Sequence, residues 1–280
     1  MELFSLFIGV VFAAEGIISP IQEDVPGTTT VATKPSTSFG QLPSSSVLGV
    51  SIEEPTPTPK ETRKTKKSSY TIAVLGDSMV DTLGPGVPHL ANALKKIYPR
   101  TQFTIYNYGV GGTNIDYGLQ RLTSDYLYLD NPIPALVNRH PDIVVVESFG
   151  YNPYTFDAGA LEKHWLQLAA IVDTLKNRIP NVKIIIAATI APDATTFGDG
   201  AAGLAFSPED KRKRTAVIKQ YLESTVHFAQ SQHLPLADAY TPSLIGTTRF
   251  INAGDHIHPS DDGKKLFAQK VTEAILSLSM

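Results

Sequence analysis

The chain has 280 residues, 42% of them hydrophobic, a formal charge of −3 and no cysteine. This composition excludes a disulfide framework and gives no basic face of the kind nucleic acid requires. The length suits one well-buried domain with additional segments rather than several domains.

In chain order, the first feature is an apolar run from Leu3 to Ala14. It is shorter than the roughly 20 residues that span a membrane and suits the core of a signal peptide, with Val11-Phe12-Ala13-Ala14 as a small-residue cleavage pattern. Glu2 stands where such signals usually carry Lys or Arg. The expectation is a signal peptide or short membrane anchor over residues 1–19, hence a secreted or surface-tethered protein; an apolar helix of a cytoplasmic protein is the alternative. Residues 20–69 are rich in Pro, Thr and Ser, and Pro55-Thr56-Pro57-Thr58-Pro59 favours an extended spacer. Too few large apolar groups are present to offset ordering entropy, so a disordered linker is expected there. The basic run from Lys60 to Lys67 fits a solvated part of that linker better than an anionic contact.

Residues 70–280 change character. Continuous apolar runs predict strands at 70–75, 102–107, 142–148, 182–190 and 234–238, the pattern of a parallel sheet covered on both faces. Helical spacing predicts helices at 87–97, 114–122, 161–178 and 208–232, with a closing helix after Pro259-Ser260. Strand–helix alternation with right-handed crossovers gives an α/β fold, a three-layer α/β/α sandwich with a mainly parallel sheet of about five strands.

Four segments next to these strands carry the chemistry. Gly76-Asp77-Ser78 follows the first strand and delivers a hydroxyl to the carboxyl edge of the sheet, where open α/β folds place ligands. Ser78 there is a candidate nucleophile; alone, the tripeptide reads equally as a polar turn with a helix cap. Asn107 to Asn114 follows the second strand, and its glycines allow close backbone approach. Gly150-Tyr151-Asn152-Pro153 follows the third, and the Asn152 amide suits a developing negative charge. Near the end, Asp255-His256-Ile257-His258 spaces a carboxylate to hold the His258 imidazole with Nε2 free as base. Isolated, that pair would read as surface loop polars; no further His or Cys cluster supports a metal site.

Together these segments resemble the SGNH (GDSL-type) hydrolase family over about residues 70–280. The resemblance implies a flavodoxin-like strand order and an esterase or lipase activity. It implies Ser78, Asp255 and His258 as the catalytic triad, and Ser78, Gly112 and Asn152 as the oxyanion hole. No metal or organic cofactor is needed for such chemistry. The expected substrate is a carboxylic ester of a small molecule, lipid or glycan. An O-acyltransferase with the same residues, or a non-catalytic surface binding module, is the alternative. Pro153 replaces the second acid of the family's usual Gly-x-Asn-Asp segment, which raises the question of where the Asn152 side chain points.

Tyr151, Tyr154 and Phe156 follow the third strand as candidate substrate contacts, with packing beneath the loop as the equal alternative. Residues 193–207, rich in Gly and Ala, read as a mobile loop over the site or a passive connection. Trp165 sits in a helical pattern and reads as core. Oligomeric state is not legible.

Overall fold

The computed structural model describes residues 63–154 and 158–280. The expected signal segment, most of the expected linker, and Phe156 lie outside the described residues.

Five strands, β1 (Ser69–Gly76), β2 (Gln102–Gly109), β5 (Ile143–Glu147), β6 (Lys183–Ala188) and β7 (Leu236–Asp238), form one sheet. Two short strands, β3 (Tyr126–Tyr128) and β4 (Asn131–Ile133), form a separate ribbon. The main sheet runs β2-β1-β5-β6-β7 with every pairing parallel. This is the flavodoxin-like order. Its direction of growth reverses at β1, so the carboxyl ends of β1 and β5 flank the crevice where such sheets bind ligands.

The period of two along each strand builds three layers. On one face Ala73, Leu75, Val144, Val146, Ile184 and Ile186 share a buried cluster with Leu122 of α3 (Ile115–Thr123), Leu168 and Leu175 of α4 (Ala160–Arg178) and Phe228 of α5 (Pro208–Ser231). On the other, Ile72, Val74, Ile143, Val145 and Ile185 meet Leu90 and Leu94 of α2 (Pro88–Ile97) and Phe267, Val271 and Ile275 of α8 (Asp261–Leu276). Each fully buried Leu, Ile or Phe contributes about 1.5–3 kcal/mol, which is why the strands read as unbroken apolar runs. The five expected strands and five expected helices are all present, with ends moved by one or two residues in most cases.

Three differences from expectation have physical causes. The ribbon was not anticipated: Leu129 and Asp130 turn at φ 48° and 61°, a hairpin geometry without the Asn-Gly signature that marks it in sequence. Short helices α1 (Ser78–Asp81), α6 (Tyr240–Ser243) and α7 (Thr247–Phe250) are single turns, too brief to show a period. Residues 63–69, assigned to the linker by composition, bond to the domain. Arg63 N–H donates to the Ile97 carbonyl (2.9 Å), Gln102 N–H to the Ser68 carbonyl (2.9 Å), and Lys67 Nζ to Asp142 (2.5 Å). Backbone pairing of this kind leaves no apolar signature.

Candidate active site

The segment after β1 is fixed by close contacts. Asp77 is fully buried and caps α1, its Oδ1 accepting from the Met79 N–H at 2.8 Å. That places Ser78, half-buried, as the first residue of the helix, at the carboxyl edge of the sheet. Asn107 of β2 ties down the far end of α1. Its Nδ2 donates to the carbonyls of Val80 (2.9 Å) and Gly84 (3.0 Å) while its Oδ1 accepts from the Gly109 N–H (2.8 Å). A Cβ on Gly109 would lie 2.1 Å from the Asp81 nitrogen, so only glycine lets α1 rest on β2 this closely.

The closing loop brings together Asp255 and His258. His258 Nδ1 lies 2.9 Å from Asp255 Oδ2, and Asp255 Oδ1 accepts from the Ile257 (2.9 Å) and His258 (3.0 Å) N–H groups. Burial raises the Asp255 carboxyl, but the His258 ring and the two backbone donors outweigh it and hold the group down at about 2. With Nδ1 engaged by the carboxylate, Nε2 is the ring position left for chemistry. His256 is turned away at φ 53°, its Nδ1 2.7 Å from the Asp199 carbonyl. The loop at 193–207 thus braces this turn. Gly198 N–H reaches the His256 carbonyl (3.4 Å), and a Cβ on Gly200 would lie 2.4 Å from the Gly254 oxygen.

Burial pushes both Asp77 and Asp81 carboxyls up. Met79, the residue after Ser78, shares a buried cluster with Ile251, and the next N–H, of Asn252, donates to the His258 carbonyl (2.8 Å), which ties the His258 turn to the start of α1. No direct hydrogen bond joins Ser78 to His258 among the described residues; in free enzymes such contacts are often long and tighten with substrate bound.

The segment after β5 answers the question raised by Pro153. Asn152 Nδ2 donates to Asp77 Oδ2 at 3.0 Å, so the proline has not turned the amide away from the β1 edge. An amide nitrogen carries two hydrogens, and the second remains for a ligand. Gly112, at φ 70°, is exposed and has open space where a Cβ would stand. The same turn passes Ser78: a Cβ on Gly111 would lie 3.9 Å from Ser78 Cβ.

Of the aromatic candidates, Tyr151 packs on Phe197 and donates to the Ile190 carbonyl at 3.1 Å. Tyr154 donates to Asp116 Oδ1 at 2.5 Å, with Lys163 Nζ 4.0 Å from its ring centre. Both hydroxyls are engaged within the fold. Trp165 meets Phe228 edge-on at 5.2 Å, in keeping with a core role.

Sequence reasoning assigned no role to three groups around this edge. Glu147, fully buried at the end of β5, bonds to Ser148 and accepts from the Phe149 N–H at 2.9 Å. Burial, then the neighbouring Asp77 charge, pushes its carboxyl well up. Arg121 is fully buried and donates from Nη2 to the Gly76 carbonyl at 3.0 Å, beneath the Asp77-Ser78 turn. Its signal was an arginine one turn after Gly118 on the buried face of α3. Asp81 pairs with Tyr128 of the ribbon at 2.7 Å.

Residues 74–266 match the GDSL-like lipase/acylhydrolase family. The chain belongs to that family. It is a serine esterase of the GDSL type, a carboxylic-ester hydrolase. Among curated proteins none matches this sequence. Solved GDSL-type structures share its fold. A catalytic mutant of Axe2, an acetylxylan esterase from Geobacillus stearothermophilus, is 17% identical over 75% of this chain and 96% of that one, with TM-score 0.53. A chain described as a GDSL-like lipase from Parabacteroides merdae is 18% identical over 76% and 98%, with TM-score 0.55. A gut microbial diltiazem-metabolizing enzyme is 18% identical over 77% of this chain and 48% of that one, with TM-score 0.52.

Proposed function

We propose that the protein hydrolyses O-acyl esters, acetyl esters of glycans foremost, through an acyl-enzyme on Ser78. His258 Nε2 takes the Ser78 proton as Oγ attacks the carbonyl carbon, and returns it to the leaving alcohol as the C–O bond breaks. Water then attacks the acyl-enzyme with the same base, releasing the acid and restoring Ser78. Asp255 orients the imidazole and offsets its positive charge. The N–H groups of Ser78 and Gly112, with Asn152 Nδ2, receive the oxyanion.

The observation that carries this reading is the Asp255–His258 pair at 2.9 Å, with Nδ1 taken by the carboxylate, on a loop whose Ile251 packs with Met79, the residue after Ser78. The glycan preference draws support from the fold likeness to an acetylxylan esterase. Action outside the cytoplasm draws support from the apolar run at Leu3–Ala14 and the Pro/Thr/Ser-rich segment after it.

A serine-directed fluorophosphonate tests the mechanism. It should add one adduct, at Ser78, and Ser78→Ala should abolish both labelling and ester hydrolysis. An adduct on another serine, or a fully active variant, would overturn the assignment. Adding an alcohol acceptor during turnover separates hydrolysis from acyl transfer: transfer exceeding hydrolysis at modest acceptor concentration would make this an O-acyltransferase.

A further inference from the structure

Two residues of α1 and one of the distant β3–β4 ribbon converge beside Gly111. From the place a Cβ would occupy there, Asp81 Oδ2 and the Tyr128 hydroxyl are each 3.8 Å away and Ser78 Cβ is 3.9 Å away. Asp81 ends the helix that Ser78 begins, so the carboxylate lies one turn from the nucleophile. Tyr128 comes from the β3–β4 ribbon and donates its proton to Asp81 Oδ2 at 2.7 Å. Gly111 places no side chain between these groups. Both residues are half-buried.

The donor and acceptor balance of this cluster is one-sided. The Tyr128 proton is committed to Asp81, so its oxygen presents only lone pairs, shared with a long contact from the Gly111 N–H at 3.4 Å. An ionised carboxylate is an acceptor only, and Asp81 Oδ1 has no partner among the described residues. What lies next to Ser78 is therefore a set of acceptors that asks for hydroxyl donors. A fatty-acyl chain offers none and would desolvate the carboxylate without compensation. A sugar carrying free hydroxyls beside its ester offers two or more.

We propose that Asp81 and Tyr128 form a hydroxyl-binding subsite that selects esters of partly acylated sugars or other polyols over lipid and aryl esters. It receives the alcohol side of the substrate, hydroxyls next to the ester oxygen donating to Asp81 and to the Tyr128 oxygen. This deepens the glycan-ester reading above and rests on it. The β3–β4 ribbon carries Tyr128 to α1.

The test uses the full chain and three acetyl esters that share one acyl group. These are methyl xyloside bearing a single acetyl group, the same xyloside fully acetylated, and 4-nitrophenyl acetate. The first has free neighbouring hydroxyls, the second the same ring with none, and the third no ring hydroxyls and an activated leaving group. The wild type should favour the monoacetylated over the fully acetylated sugar in kcat/KM per ester by about tenfold or more, the size of one hydrogen bond to a charged acceptor. Tyr128→Phe and Asp81→Asn should each shrink that preference severalfold, the loss falling mainly on the monoacetylated sugar. A wild type indifferent to free hydroxyls would overturn the proposal, as would variants that keep its preference. Equal losses on all three esters would also overturn it, by assigning the pair to shaping the site. If Asp81→Asn fails to fold, Tyr128→Phe, which removes one half-buried hydroxyl, decides alone. Failure of the esterase reading is read separately: the fluorophosphonate would then miss Ser78 and none of the three esters would be cleaved.

Discussion

Asp77 and Asn152, 75 positions apart in sequence, are joined by a 3.0 Å hydrogen bond from the Asn152 amide to the Asp77 carboxylate. The other oxygen of that carboxylate caps the helix that begins with Ser78. One buried side chain thus sets the position of both the candidate nucleophile and the candidate oxyanion donor, across the switch point between β1 and β5. The family's usual second acid is absent at Pro153, and the link to Asp77 fixes Asn152 without it.

Asn152→Ala is expected to lower kcat by about 10²–10³, or ~3–4 kcal/mol, with little change in KM, because the amide acts on charge that develops in the transition state. Steady-state kinetics on a soluble acetyl ester measures this. A loss below about threefold would assign the hole to the backbone N–H groups alone.

Asp77→Asn replaces a two-oxygen acceptor with a single oxygen, so either Met79 N–H or the Asn152 amide loses its partner. In a fully buried position this should cost about 1–3 kcal/mol of stability and reduce kcat as well. Thermal melting and kcat are measured on the same preparation. A variant with wild-type values for both would show that the link positions nothing.

His258→Ala should abolish most activity, whereas His256→Ala should act only through the brace between its ring and the Asp199 carbonyl. Comparison of kcat/KM for the two variants is the check. The reverse ranking would place the base at His256 and contradict the Asp255 pairing.

His164 is expected to make the fold acid-sensitive. It is buried, with Nε2 2.7 Å from the Ser148 carbonyl; burial lowers its pKa to about 4, against the partial support of that carbonyl. The unfolded chain then binds the proton first, at about 6.5, so the stability contribution is complete above that pH and is lost as pH falls toward 4. The full loss is about 3 kcal/mol. Buried Glu147 and Asp77, whose carboxyls are pushed up, contribute with the opposite sign, losing stability as pH rises out of the carboxylate range. Melting curves at pH 7.5 and 5 for wild type and His164→Gln isolate the histidine. The wild type should lose more stability than the variant between the two pH values, and equal losses would remove the role.

A chain beginning at residue 70 should melt below one beginning at residue 63, by several degrees. It lacks the bonds from Arg63 to Ile97 and from Gln102 to Ser68, together worth about 1–2 kcal/mol. The exposed Lys67–Asp142 pair adds little. Identical melting curves would show that residues 63–69 contribute nothing to stability.

The layers of this protein were legible because burial on both faces forces a strand to be apolar throughout, as in Ile143-Val144-Val145-Val146, and the amphipathic helices α2 and α8 repeat at 3.6 residues. The Asp255–His258 pair was legible for a similar reason: three residues of turn suffice to bring the groups together, so spacing alone carried the information. The ribbon was not, since its turn lacks the usual residues. Nor were the roles of Glu147 and Arg121, because a single charged residue in an apolar pattern does not say what compensates it. Local pattern and spacing set the strand and helix order, the residue types available for catalysis and the His–Asp geometry. That Asn152 turns toward Asp77, that His256 turns away from the site, and that Tyr128 meets Asp81 beside Ser78 came from the way the loops pack. Those contacts join residues 47 to 75 positions apart, where the parallel sheet's order, not local spacing, sets which loops meet.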